Sequence, residues 1–245
     1  MRVLWILCLT IGLYAGEVRI ALAANMSYAI TPIIEAFTQV HKGVSVHYTV
    51  GGSGKLATQV LHGAPFDLFL SANTAYPETI FKKGKAVEPP RIYARGALAL
   101  LSRKPRNLWG GVEVLTQKDI AKIVIANPRT APYGKAAVEA LDHAGLYEKV
   151  RHKFVYGESI AQTVAYATNA ADIGIVALSA LYAPQMTKWR TAEHYKEVDS
   201  SLYTPIDQGM VLLKNVQDNS DAKAFYDFLG SKRVKAILKR YGYRL

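Results

Sequence analysis

Short apolar, β-rich runs alternate with segments of helical spacing from residue 18 to residue 177, and this alternation constrains the fold more than any other feature. Residues 18–23 read as a buried strand, followed by a helix through 28–40 with Ile30, Ile33, Ile34 and Phe37 along one face. Residues 44–50 alternate as a strand, Gly51-Gly52-Ser53-Gly54 turns the chain, and 55–61 forms a helix ending near Gly63. A strand at 66–71 and a helix at 76–83 follow. The second half repeats the style, with strands at 97–102, 123–126, 153–155 and 173–177, and helices at 134–144 and 159–167. A short helical turn is expected at 118–121. A late strand at 210–213 and helices at 221–229 and 233–240 complete the chain. Such alternation implies right-handed crossovers and a mostly parallel sheet. No glycine-, proline- or serine-rich linker separates two units. Two α/β lobes with crossings near 93–96 and 204–209 would explain that, although one continuous sheet would give a similar pattern.

The first sixteen residues differ in kind. Met1-Arg2 supplies a short positive start, and residues 3–15 carry no charge before Gly16 and Glu17. Thirteen apolar residues are too few to span a bilayer and suit a secretory leader, with a buried first strand as the alternative. The expected leader is 1–16, which directs the protein to the periplasm. Removing it removes Cys8, the single cysteine, so a disulfide framework and a cysteine-rich metal site are excluded. The formal charge of +11 favours anionic partners without saying which.

Several helices open at a polar or glycine-rich turn directly after a strand. Asn25 and Ser27 open the first, Ser53 and Gly54 the second, Tyr133 and Gly134 (behind Pro132) the third, and Ser159 the fourth. A helix start leaves backbone N–H groups unpaired and partially positive, which suits an anion. In open α/β sheets the strand-end loops are also where ligands bind. Four such starts turned to one cleft would surround a small oxyanion with neutral donors. Taken singly, each polar residue reads as a helix N-cap. Ser53 stands out because its glycine neighbours let a ligand approach the backbone.

Other chemistries fail on spacing. The 51–56 turn is not a nucleotide-binding P-loop, since Leu56 stands at the Ser/Thr position, and Lys55 breaks a nucleophile elbow. The six histidines show no paired metal-ligand spacing. Asp67 is a lone acid and reads as structural. A secreted hydrolase with Ser53 as nucleophile is the enzymatic rival, and it lacks a base. The basic residues Lys232, Arg233, Lys235, Lys239 and Arg240 read as a solvated helix face, with a nucleic-acid surface as the rival.

At the helix starts the sequence resembles the periplasmic molybdate-binding proteins of ABC importers. The segments concerned are Ala23-Ala24-Asn25, GGSGKLATQV from 51, GAPFDLFLSAN from 63 and NPRTAPYGKAAVEAL from 127. Further on come GESIAQT from 157, ADIGIVALS from 171, PIDQGMVLL from 205 and the closing RYGYRL. The resemblance implies an α/β, type II periplasmic-binding-protein fold, with two lobes of mixed, mostly parallel sheets. A two-strand hinge would join them, with the ligand in the interlobe cleft. Lobe I would comprise 17–94 and 207–245, and lobe II 95–206. Carried over by motif, Asn25 takes the first-helix donor position, where other members have Ser or Thr-Asn. Ser53 supplies side-chain and backbone donors, and Tyr133 and Ile160 supply backbone N–H groups. Some relatives place a tyrosine after the Gly-Ile-Val strand. Ala177 stands there here, matching the subgroup with Asn at the first position, and what replaces the hydroxyl is left open. The implied function is capture of molybdate, and tungstate with it, for delivery to a membrane permease. The resemblance implies a monomer with no cofactor, no enzymatic activity and no nucleic-acid partner. Binding of another oxyanion, such as sulfate, is the rival within the same class.

Overall fold

The computed structural model of the protein describes residues 16–214 and 219–245, so the expected leader, Gly16 apart, lies outside the described residues. The first sheet contains β1 (Glu17–Ala23), β2 (Ser45–Gly51), β3 (Leu68–Leu70) and β4 (Arg91–Gly96). The second contains β5 (Leu98–Ser102), β6 (Ile123–Ala126), β7 (Phe154–Gly157), β8 (Ile173–Ala177) and β9 (Tyr195–Glu197). The chain then returns to the first sheet as β10 (Ile206–Leu212). The strand orders are β2-β1-β3-β10-β4 and β7-β6-β8-β5-β9. In the first sheet β1 pairs parallel with β2 and β3, and β10 runs antiparallel to β3 and β4. In the second, β6 pairs parallel with β7 and β8, and β5 runs antiparallel to β8 and β9. Each sheet is therefore mixed, with four strands running one way and one reversed.

Helices cover both faces of each sheet, which is why the inner strands read as continuous apolar runs rather than alternating ones. On one face of the first sheet lies α1 (Ile30–Thr38), which buries Ile30, Ile33, Ala36 and Phe37 at helical spacing. Phe37 packs edge-on against Phe225 at 5.0 Å between ring centroids. Full burial of a side chain such as Phe37 contributes roughly 1.5–3 kcal/mol. On the other face, α2 (Ser53–Leu61) and α3 (Ala75–Lys82) bring Leu56, Val60 and Ile80 against Phe69 and Val211.

The second sheet has α4 (Pro132–His143) and α5 (Tyr147–Val150) over Ile123 and Ile125. On its opposite face α6 (Ile160–Asn169) and α7 (Leu178–Leu181) cover Leu101, Val124 and Val176. The carboxy-terminal helices α8 (Ser220–Leu229) and α9 (Lys232–Arg240) return to the α1 face of the first sheet. The basic stretch at 232–240 buries Val234, Ile237 and Leu238 and turns its charged residues outward, as a solvated helix face does.

Several expected elements change. The helix expected over 28–40 divides into a 3-10 turn at Ala24–Tyr28 and α1, with Ala29 at φ −107° between them. No helix forms at 118–121, because the N–H groups of Ala121 and Lys122 donate to the Asp172 carboxylate at 3.0 and 2.9 Å. The nearby helical turn is instead a 3-10 segment at Gly111–Thr116.

Candidate functional site

Four helical segments begin just beyond the carboxyl ends of equivalent strands, β1 and β2 in the first sheet and β6 and β7 in the second. Asn25 follows β1, Ser53 follows β2, Tyr133 follows β6 and Ile160 follows β7. All four line one cavity of about 10 Å³ between the sheets, together with Ala23, Ala24, Gly52, Ala72 and Pro132. That is far below the usual range of about 300–1,000 Å³ for organic ligands, so the cavity suits a small inorganic ion. Among the described residues, none that lines it is charged.

Each start presents donors for a local reason. Pro132 occupies the first helical position, where its missing N–H costs nothing and its fixed φ favours the helix. The next residue, Tyr133, then carries the first N–H of the helix. Ser159 is a true N-cap: its hydroxyl accepts from Gln162 N–H at 3.3 Å, and Ile160 follows at the first helical position.

Ser53 is different. The cap of α2 is Gly52, and Ser53 caps nothing. Its Oγ accepts from the Ala72 N–H at 3.0 Å. A hydroxyl that accepts from behind is held in position and still has its own proton to donate. Ser53 is 1% exposed.

The glycines around Ser53 serve the opposite lobe. Gly54 N–H donates to the Thr130 carbonyl at 3.0 Å. A Cβ on Gly52 would lie 3.0 Å from the Glu158 carbonyl oxygen, and one on Gly54 3.0 Å from that of Thr130. The second lobe's backbone, from the β6 and β7 loops, thus closes directly onto the turn, and the structure is a closed one.

Asn25 is fully buried in the 3-10 turn. Its Nδ2 donates to Gln208 Oε1 and to the Tyr243 hydroxyl, each at 2.7 Å. Its backbone carbonyl accepts from the Tyr243 hydroxyl at 3.0 Å and from Ser179 Oγ at 3.2 Å. Among the described residues its Oδ1 has no partner. Ser27, also expected at this start, turns its hydroxyl back to the Ala24 carbonyl at 2.7 Å and does not line the cavity.

Ala177 is buried at the end of β8, and the N–H of Leu178 after it donates to the Ala97 carbonyl at 2.8 Å. The Tyr133 side chain leaves the cavity for the hinge, where its hydroxyl oxygen would touch a Cβ on Gly96. Burial pushes the Tyr133, Tyr93 and Tyr243 phenols above the ordinary tyrosine range, so they remain protonated at neutral pH. Asp67 accepts from the Arg19 N–H at 2.6 Å, a structural bond well away from the cavity lining.

Spacing alone does not disclose Gln208, Tyr243, Ser179, Ala72 or Thr130. The segments around 171, 205 and 240 carry three of them, and only their likeness to a known family marks those segments out.

Two lobes of one topology, closed on a small uncharged cavity lined by helix starts, define a two-lobed binding protein that captures a small anion. The chain matches the model of the bacterial extracellular solute-binding proteins over residues 18–244. It is 38% identical to the molybdate-binding protein ModA of Rhodobacter capsulatus, over 94% of this chain and 88% of that one. It is likewise 38% identical to ModA of Azotobacter vinelandii, over 94% and 91%. It belongs to the family of ModA solute-binding proteins. Among solved structures, the periplasmic molybdate-binding protein of Azotobacter vinelandii superposes with a TM-score of 0.86 at 29% identity, covering 94% of this chain and 99% of that one. The sulfate-binding protein SubI of Mycobacterium tuberculosis shares the fold, with a TM-score of 0.75 at 16% identity over 94% and 86% of the two chains.

Proposed function

We infer that the protein is the solute-binding component of an ABC importer, capturing molybdate, and tungstate with it, and delivering the anion to a membrane permease. The observation that carries this reading is the uncharged cavity into which two helix starts from each lobe open. In this reading Ser53 donates through its hydroxyl and backbone, Asn25 donates from the first-helix position, and Tyr133 and Ile160 donate through their N–H groups. Helix starts favour a dianion without any cationic side chain. Molybdate is fully deprotonated near neutral pH, so donors alone satisfy it. Monohydrogen phosphate carries a proton, and among the described residues no carboxylate lines the cavity to accept it. Sulfate has shorter bonds, so in a cage sized for molybdate some donors fall out of reach.

Closure is the rearrangement of lobe I (17–94 and 207–245) against lobe II (95–206), through the paired passages between β4 and β5 and between β9 and β10. Export by the 1–16 leader places the protein in the periplasm, where it acts as a monomer. A thermal-shift panel at matched ionic strength tests the reading. Molybdate and tungstate at a hundredfold excess over their dissociation constants should stabilise by about 2.7 kcal/mol. Sulfate should do little and phosphate nothing beyond a chloride control. An equal shift with phosphate or chloride would reject it.

A further inference from the structure

We propose that Tyr243, the third residue from the end of the sequence, is a positioning residue for the anion site and holds Asn25 in the orientation that closure requires. The inference rests on the anion-binding reading above and deepens it. The Tyr243 hydroxyl meets Asn25 twice, accepting from Nδ2 at 2.7 Å and donating to the backbone carbonyl at 3.0 Å. Gln208 takes the second Nδ2 proton at 2.7 Å and is itself fixed by its Nε2 bond to the Ile206 carbonyl at 2.8 Å. Asn25 and Gln208 are fully buried and Tyr243 is 4% exposed, so these bonds have no ready substitute in water. The register between β10 and β4 shifts at Gln208/Gly209, next to the side chain concerned.

The clamp draws on both lobes. Ser179, just after β8, reaches the same Asn25 carbonyl at 3.2 Å. The tail that carries Tyr243 runs over the hinge, since Arg244 pairs with β4 through Arg95 and forms an ion pair with Glu197 of β9. Both Nδ2 protons of Asn25 are committed to this network. Its side chain therefore serves to fix the turn, and the donors this proposal assigns to the turn are its backbone N–H groups. Where Ala177 leaves out a tyrosine hydroxyl, a hydroxyl from the opposite end of the chain acts one step behind the ligand.

Tyr243→Phe keeps the ring and removes both bonds. Calorimetric titration with molybdate should show its dissociation constant raised about tenfold, with Gln208→Leu moving in the same direction. Tyr226→Phe, equally buried in the same lobe and remote from Asn25, should match the parent. A double-mutant cycle supplies a readout that loss of general stability would not produce: in an Asn25→Ala background, which leaves only the bond to the backbone carbonyl, Tyr243→Phe should weaken binding by clearly less than it does in the parent. Unchanged affinity in Tyr243→Phe, or effects that add in the cycle, would overturn the proposal. Failure of the parent protein to bind molybdate at all would instead reject the functional reading and leave the hydrogen-bond network as it stands.

Discussion

Strand for strand, β1, β2 and β3 of the first sheet correspond to β6, β7 and β8 of the second, and β10 corresponds to β5. The helix starts correspond too, Asn25 with Tyr133 and Ser53 with Ile160. The residues at these paired positions have little in common. The first lobe places a buried amide and a buried hydroxyl there, each hydrogen-bonded within the protein. In the second lobe a tyrosine sends its hydroxyl to the hinge and an isoleucine packs into the core. The geometry of a helix start fixes where an N–H points, so the side chain at that position is free to do other work. Polarity is therefore a guide to half of the proposed site and no guide to the rest.

Four substitutions would break or sharpen this contrast. Ser53→Ala removes the only proposed side-chain hydroxyl donor. A hydrogen bond to a charged group is worth about 1.5–3 kcal/mol, so molybdate affinity should fall roughly ten- to a hundredfold. Circular dichroism should show the fold intact. An affinity equal to the parent's would mean that both lobes act through backbone alone. Gly54→Ala tests how the lobes meet. Its Cβ would lie 2.8 Å from the Tyr76 hydroxyl, which can swing aside, and 3.0 Å from the Thr130 carbonyl oxygen, which belongs to the opposite backbone. Affinity should fall about five- to tenfold through a weakened closed state, while the ligand-free melting temperature holds. A large drop in that temperature would place the defect in α2 instead. Tyr133→Phe and Ile160→Val should be nearly silent, within about twofold in the same titration, because the proposed donors there are main-chain groups. A tenfold loss in either would show that the second lobe also binds through side chains.

The same contrast explains what could be read in advance. β6 and β8 stand at their expected bounds because both their faces are covered, which makes each a bounded apolar run. β4, with Arg91 and Arg95 exposed on an edge, carries no such run, and the three residues of β9 carry none either. The helix starts were legible from Asn25, Ser53 and Pro132, since capping and turn chemistry are local. Ser53 was open to reading as a cap, and the structure gives that role to Gly52. Its glycine neighbours were expected to admit a ligand to the backbone, and what the structure shows at them is the backbone of the second lobe. The partners of Asn25 lie 154 to 218 residues away, a separation at which no local pattern speaks.

The position of β10 has a consequence for how the molecule matures. Lobe II has its whole sheet encoded between Leu98 and Glu197, so that sheet can form as soon as this stretch of chain is available. The first sheet cannot, because β10 lies between β3 and β4 and is made more than a hundred residues after either. A chain that emerges amino end first thus holds β1 to β4 as an incomplete sheet, with a gap between β3 and β4, until the last sixth of the sequence emerges. The middle of the sequence can therefore complete its sheet before the ends can complete theirs, and the tail that reaches Asn25 follows both.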